Sequence, residues 1–99
     1  MLPAVSSKLR LSLACADSPF RSMSRLKIGS SQEALVELRI SDVLGRVVRR
    51  WPRLALQVGA NEVLWDGRRE DGGIAAGGIY LVAVRGSSSQ AGIKIVKLH

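Results

Sequence analysis

Apolar and polar residues alternate in short runs along most of this chain. From Val36 to Ser41, the residues Val36, Leu38 and Ile40 fall on one face and Glu37, Arg39 and Ser41 on the other, the period of two that a half-buried antiparallel strand requires. The same pattern predicts strands over Leu9 to Leu13, with three leucines on one face, and over Ser24 to Ile28, through Leu26 and Ile28. Arg46 to Arg50 reads as a fourth strand. Pro52 cannot donate a ladder hydrogen bond, so this strand stops near Trp51 or lies on an edge. Asn61 to Trp65, Ile79 to Val84 and Ile93 to Leu98 complete a set of seven. In the sixth, Tyr80, Val82 and Val84 share a face; in the last, Lys94, Val96 and Leu98 lie opposite Ile93, Ile95 and Lys97. No window of about 11 residues keeps a 3.6-residue apolar period free of Gly and Pro, so no long helix is expected.

Turn residues stand between these runs. Asp17-Ser18-Pro19 breaks the first, Gly29 with a polar loop closes the second, and Asp42-Val43-Leu44-Gly45 has Asp and Gly at the first and fourth places of a type I turn. Asp66 and Gly67 end the fifth strand: the Asp side chain accepts a local backbone hydrogen bond and Gly admits a positive φ. Gly77-Gly78 precedes the sixth strand, and Gly86 to Gln90 forms a hairpin loop before the seventh. Seven strands spaced by roughly ten residues predict an all-β fold, a seven-stranded antiparallel β-sandwich of the Ig-like type with a short irregular N-terminal segment. Residues 1–8 read as a linker remnant and 9–99 as the domain. Tyr80, opening a late strand after two glycines, sits where Ig-like domains tie a crossover to the backbone with a tyrosine hydroxyl.

Composition narrows this picture. A chain of 99 residues makes one domain with a thin core, and 46% apolar residues with only 4% aromatics require aliphatic side chains to fill it. Fifteen Lys and Arg against eight acids give a net charge of +7, a field that favours contact with anionic surfaces. The single cysteine, Cys15, rules out an internal disulfide. No run of about 20 apolar residues is present to span a bilayer, and Met1 to Ala16 is too interrupted by charge to form a signal-peptide core.

The chemistry-bearing residues point away from catalysis. His99, at the chain's end, is the only histidine, so a Ser or Cys nucleophile lacks its usual oriented base. Asp66, Glu70 and Asp71 lie within six residues but depart from a calcium-loop pattern, so no metal or cofactor is expected. Nor is a small-molecule substrate expected. Arg46, Arg49, Arg50 and Arg53 surround Trp51 with the composition of a single-strand nucleic-acid groove. A second aromatic platform is missing, and a charged edge strand that resists sheet-to-sheet aggregation accounts for the arginines.

Several motifs together resemble the FlgD-type Ig-like domain of bacterial flagellar hook-capping proteins, and more closely the C-terminal sorting domain on cargo of the type IX secretion system. They are Asp42, Gly45 and Arg46 in an Asp-x-x-Gly-Arg turn, Trp65-Asp66-Gly67, Gly78 with Tyr80, the terminal Lys94 and Val96, and Ala16 to Phe20, which keeps the Pro-Phe of a Pro-Asn-Pro-Phe start. Arg69 stands where that family usually carries Asp or Asn. The resemblance implies a non-enzymatic secretion or surface-attachment module, recognised by outer-membrane secretion machinery and found at the cell surface or secreted through the periplasm. It also implies that the chain is the C-terminal part of a longer exported protein. Structural roles then fall to Asp42, Gly45, Arg46, Trp65, Asp66, Gly67, Gly78 and Tyr80, and recognition to the last hairpin, with Tyr80, Lys94 and Val96. The rival readings are a structural assembly module contacting neighbouring subunits, as in hook caps, and a basic polyanion-binding domain.

Overall fold

The computed structural model describes residues 8–99, and among them the chain forms seven strands and no helix. In order these are β1 (Leu11–Cys15), β2 (Ser24–Ser30), β3 (Ala34–Asp42), β4 (Val47–Leu56), β5 (Gly59–Trp65), β6 (Gly78–Arg85) and β7 (Gln90–Lys97). A three-stranded sheet, β1-β2-β5, packs against a four-stranded sheet, β4-β3-β6-β7, and every strand pair is antiparallel. The all-β sandwich implied by the alternating pattern is therefore the fold. Of the linker expected at 1–8, all but Lys8 lies outside the described residues.

The interior is aliphatic between the sheets and aromatic at one end. Leu26 and Ile28 of β2 face Leu38 and Ile40 of β3, Val82 and Val84 of β6, and Ile95 of β7, all buried. Removing each such side chain from water contributes about 1.5–3 kcal/mol. At one end Phe20, Trp65 and Tyr80 meet edge to face, with ring centroids 5.6 Å apart for Phe20–Trp65 and 5.3 Å for Trp65–Tyr80. This geometry sets the positive edge of one ring on the negative face of the next.

Several boundaries differ from the sequence reading: β3 begins at Ala34 rather than Val36, β5 at Gly59 rather than Asn61, and β7 at Gln90, which was expected in the loop, rather than Ile93. The first strand runs Leu11–Cys15 rather than Leu9 to Leu13, and Leu9 is buried just ahead of the ladder. The fourth runs on through Pro52 to Leu56. It is an edge strand, and its pairing with β3 passes from Leu38↔Trp51 to Val36↔Leu54, so Pro52 and Arg53 stand together against Glu37. The bulge accommodates the proline without costing a ladder hydrogen bond.

Candidate functional site

Trp65 ends β5 fully buried, and its indole Nε1–H donates to the carbonyl of Arg68 at 2.9 Å. The Asp66 carboxylate accepts the Arg68 amide at 3.0 Å, and Gly67 turns the chain at φ 75°. A Cβ on Gly67 would also stand 2.9 Å from Cε of Lys97, whose stem turns inward at the end of β7 and lies buried there. At the far end of this loop the Tyr80 hydroxyl donates to the carbonyl of Ala76. Burial, and then the negative charge of Asp42, push the Tyr80 phenol above its ordinary value of 10.0. The indole and the phenol thus anchor the two ends of the 66–77 loop from inside the core.

Asp42 organises the neighbouring β3–β4 turn. Its backbone carbonyl accepts the Gly45 amide at 3.0 Å, and Gly45 takes φ 84°, where a Cβ would be strained. One carboxylate oxygen accepts the amides of Leu44 and Arg46 at 2.9 and 3.0 Å, and the other accepts Nε of Arg46 at 2.8 Å. Desolvation by itself raises the Asp42 pKa. The hydrogen bonds from Arg46 and Leu44 together outweigh it and hold the group below its ordinary value.

The 66–77 loop reaches across to the open side of β4. Glu70 donates its amide to the Val48 carbonyl at 2.8 Å, and its carboxylate accepts the Arg50 amide at 2.7 Å and an Arg49 guanidinium N–H at 3.3 Å. The arginines around Trp51 are largely engaged within the domain. Arg49 lies 4.3 Å over the Trp51 ring, Arg50 pairs with Glu37 at 2.7 Å, and Arg46 pairs with Asp42.

A second clasp, at residues 17–20, joins the two sheets beside the last hairpin. Asp17 holds Arg25 of β2 through both carboxylate oxygens, at 2.9 and 3.0 Å, and also accepts the Arg25 amide. The Arg25 side-chain hydrogen bonds, then the backbone one, lower the Asp17 pKa from 3.8 to about 2. On the other side Ser18 Oγ accepts the Val96 amide at 3.0 Å, the Phe20 amide donates to Val96, and Leu98 donates to Phe20. The open edge at the C-terminal end of β7 is therefore covered.

Of the residues expected to act in recognition, Tyr80 is buried on the inner face, whereas Lys94 and Val96 stand on the outer face of the four-stranded sheet, Lys94 exposed and Val96 half-buried. The expected turn residues collect at the aromatic end: Asp42, Gly45 and Arg46 on one turn, Trp65, Asp66 and Gly67 on the next loop, and Tyr80 between them in a pocket of about 290 Å3 shared with Arg69. Among the described residues no group of three or more His, Cys, Asp or Glu is placed to hold a metal ion, and no helix is long and apolar enough to cross a membrane. The sequence reading took Asp17 as part of a strand-breaking turn, Glu70 as one of three acids that depart from a calcium-loop pattern and Asn61 as a strand start, and missed their fastening roles. Asn61 ties the β4–β5 corner by accepting the Gln57 amide and donating to the Gln57 carbonyl, at 2.9 and 3.0 Å. Asn61 carried a local signal, two residues after Gly59; Asp17 and Glu70 bond to strands 8 and about 20 residues away and carried none.

Fold and site together define an immunoglobulin-like sandwich whose polar side chains fasten turns and edges. The chain belongs to the FlgD Ig-like domain family, whose model matches residues 20–90. Among solved structures, dimeric latent PorU from Porphyromonas gingivalis shares the fold with a TM-score of 0.80 at 18% identity, over 98% of this chain and 10% of that one. PorZ, a surface component of the type IX secretion system of the same bacterium, shares it with a TM-score of 0.61 at 23% identity, over 89% of this chain and 12% of that one. The chain thus spans about a tenth of the length of the two proteins. No curated protein is close enough in sequence to match.

Proposed function

We propose that this domain is a non-catalytic sorting module that directs secretion or surface attachment, recognised by an outer-membrane secretion machinery through the outer side of its last hairpin, with Lys94 and Val96 in the contact. The observation that carries the reading is the near-complete overlay of this chain on a small part of PorU, together with the like overlay on PorZ, a protein of the type IX secretion surface. Clasping of the β7 end by Ser18 and Phe20 supports it, because it presents Lys94 and Val96 on a rigid strand. The domain works outside the cytoplasm, at the cell surface or released, and takes no cofactor.

The test is export. Fused to a periplasmic reporter in a bacterium with a type IX system, the domain sends the reporter to the surface or the medium, and Lys94→Glu reduces that transfer. Retention of the wild-type fusion in the periplasm rejects the reading. The family match also favours a second reading, an assembly module like that of flagellar hook caps. A strictly monomeric protein with no subunit contacts in the intact assembly counts against it.

A further inference from the structure

The outer faces of the two sheets differ in kind. On the three-stranded sheet the outward residues include Ser12, Arg25, Lys27 and Glu62, and Leu64 is the one large apolar side chain in that register. On the four-stranded sheet the rungs nearest the aromatic end pair Ile79 with Val96, Leu81 with Lys94, and Val47 with Ser41, leaving Ile79 47%, Leu81 40% and Val47 44% exposed. The next rung pairs Ala83 with Gly92. Here the face is notched: Leu81, Val82, Ala83, Gly92, Ile93 and Lys94 line an open groove of about 390 Å3. At Gly92 an added Cβ would meet only the Val82 carbonyl, at 3.4 Å.

Cations surround this apolar strip. Arg39 is the cross-strand neighbour of Ala83 and of Arg50, Arg85 follows one rung beyond Ala83, and Lys94 stands beside Leu81. Two acids lie near them: Glu37, held by both Arg39, at 3.1 Å, and Arg50, at 2.7 Å, and at the β4 edge Glu70, whose carboxylate already accepts the Arg50 amide and an Arg49 N–H. The Nε of Arg39 is buried without a hydrogen-bond partner. A second copy of this chain stacked on the face would set these cations against their own kind, in a protein already at +7. A fluid lipid surface would meet the charge but would make no use of a notch one side chain deep.

We propose that the outer face of the four-stranded sheet is a docking surface for an acidic protein partner, which seats a large apolar side chain over Gly92, against Leu81 and Ile79, and sets carboxylates against Lys94, Arg39 and Arg85. This deepens the recognition reading and rests on it for placing the contact at Lys94 and Val96; it adds β3 and β4 to the surface and states the chemistry of the partner. The apolar centre supplies most of the affinity, and the charged rim supplies orientation and rate of encounter.

The full chain, labelled with 15N, is titrated with a soluble peptide alternating glutamate and phenylalanine and with its lysine counterpart. The glutamate peptide shifts amides of β6 and β7 and of the β3 residues opposite them, and the lysine peptide does not bind. Leu81→Glu weakens the glutamate peptide about tenfold or more, equivalent to about 1.4 kcal/mol. If Leu81→Glu fails to fold, Gly92→Val decides, because valine suits a strand and its methyls fill the notch. Equal binding of both peptides, shifts confined to the other sheet, indifference to both variants, or the same amides responding to phosphatidylglycerol vesicles or to protein concentration alone would overturn the proposal. In the export assay the two readings separate. Retention of the wild-type fusion removes the sorting reading, whereas full export of Leu81→Glu and Gly92→Val beside an exported wild type removes the docking face alone.

Discussion

The Glu70 carboxylate accepts the Arg50 amide at 2.7 Å on the side of β4 that no strand pairs with. Together with the Glu70 amide on the Val48 carbonyl, it closes two ladder positions of an edge strand from a loop. An open edge is a template for another chain. Glu70→Ala is therefore expected to lower stability by only about 1 kcal/mol, yet to raise self-association, seen as concentration-dependent sedimentation at a protein concentration where the wild type stays monomeric. A variant that is destabilised but no more prone to associate would show that the carboxylate does not guard the edge.

Trp65 and Tyr80 test the aromatic end separately. Trp65 is fully buried, touches both Phe20 and Tyr80, and bonds Arg68, so Trp65→Ala is expected to cost about 3–5 kcal/mol. That is a large share of the roughly 5–15 kcal/mol that holds a small domain together. Tyr80→Phe keeps the ring and removes only the bond to Ala76, at about 1 kcal/mol. Urea denaturation of both variants measures the difference; equal losses would mean that packing contributes no more here than the single hydroxyl.

Gly45 offers a test of backbone alone. An added Cβ meets nothing within 4 Å, so Gly45→Ala costs only the strain of φ 84°, about 1–2 kcal/mol. At Gly67 the same substitution adds the displacement of the buried Lys97 stem. Chemical denaturation is expected to rank Gly67→Ala as the more damaging of the two.

Acid weakens the clasp between the sheets. Because folding depresses the Asp17 pKa from 3.8 to about 2, the Asp17–Arg25 pair contributes stability above roughly pH 4, and loses it as pH falls toward 2. In thermal melts between pH 2 and 6, the gap between wild type and Asp17→Asn is expected to stay constant above about pH 4 and to close as pH approaches 2. A gap that persists at pH 2 would mean that the carboxylate's charge is not what Arg25 holds.

Local pattern carried most of what was legible in the chain. The period of two set Leu38 with Ile40 and Val82 with Val84 on faces that are buried, because a strand buried on one face must alternate; in the last strand both faces carry apolar residues, and only packing decided that Ile95 lies inside. Asp42 with Gly45, and Tyr80 after Gly78, marked a turn and a tied crossover, because each geometry is made within about four residues. The pattern does not say which strands lie side by side. The order β4-β3-β6-β7 made β4 an edge, let Pro52 sit in a bulge, and set Ile79, Leu81 and Val96 beside Val47 on one outer face. Only that order brought Glu70 to Arg50, and only the packing of the sheets brought Asp17 to Arg25 with Phe20 on Val96. A side chain's own periodicity reports which way it points; its partner is chosen by three-dimensional closure of the sandwich.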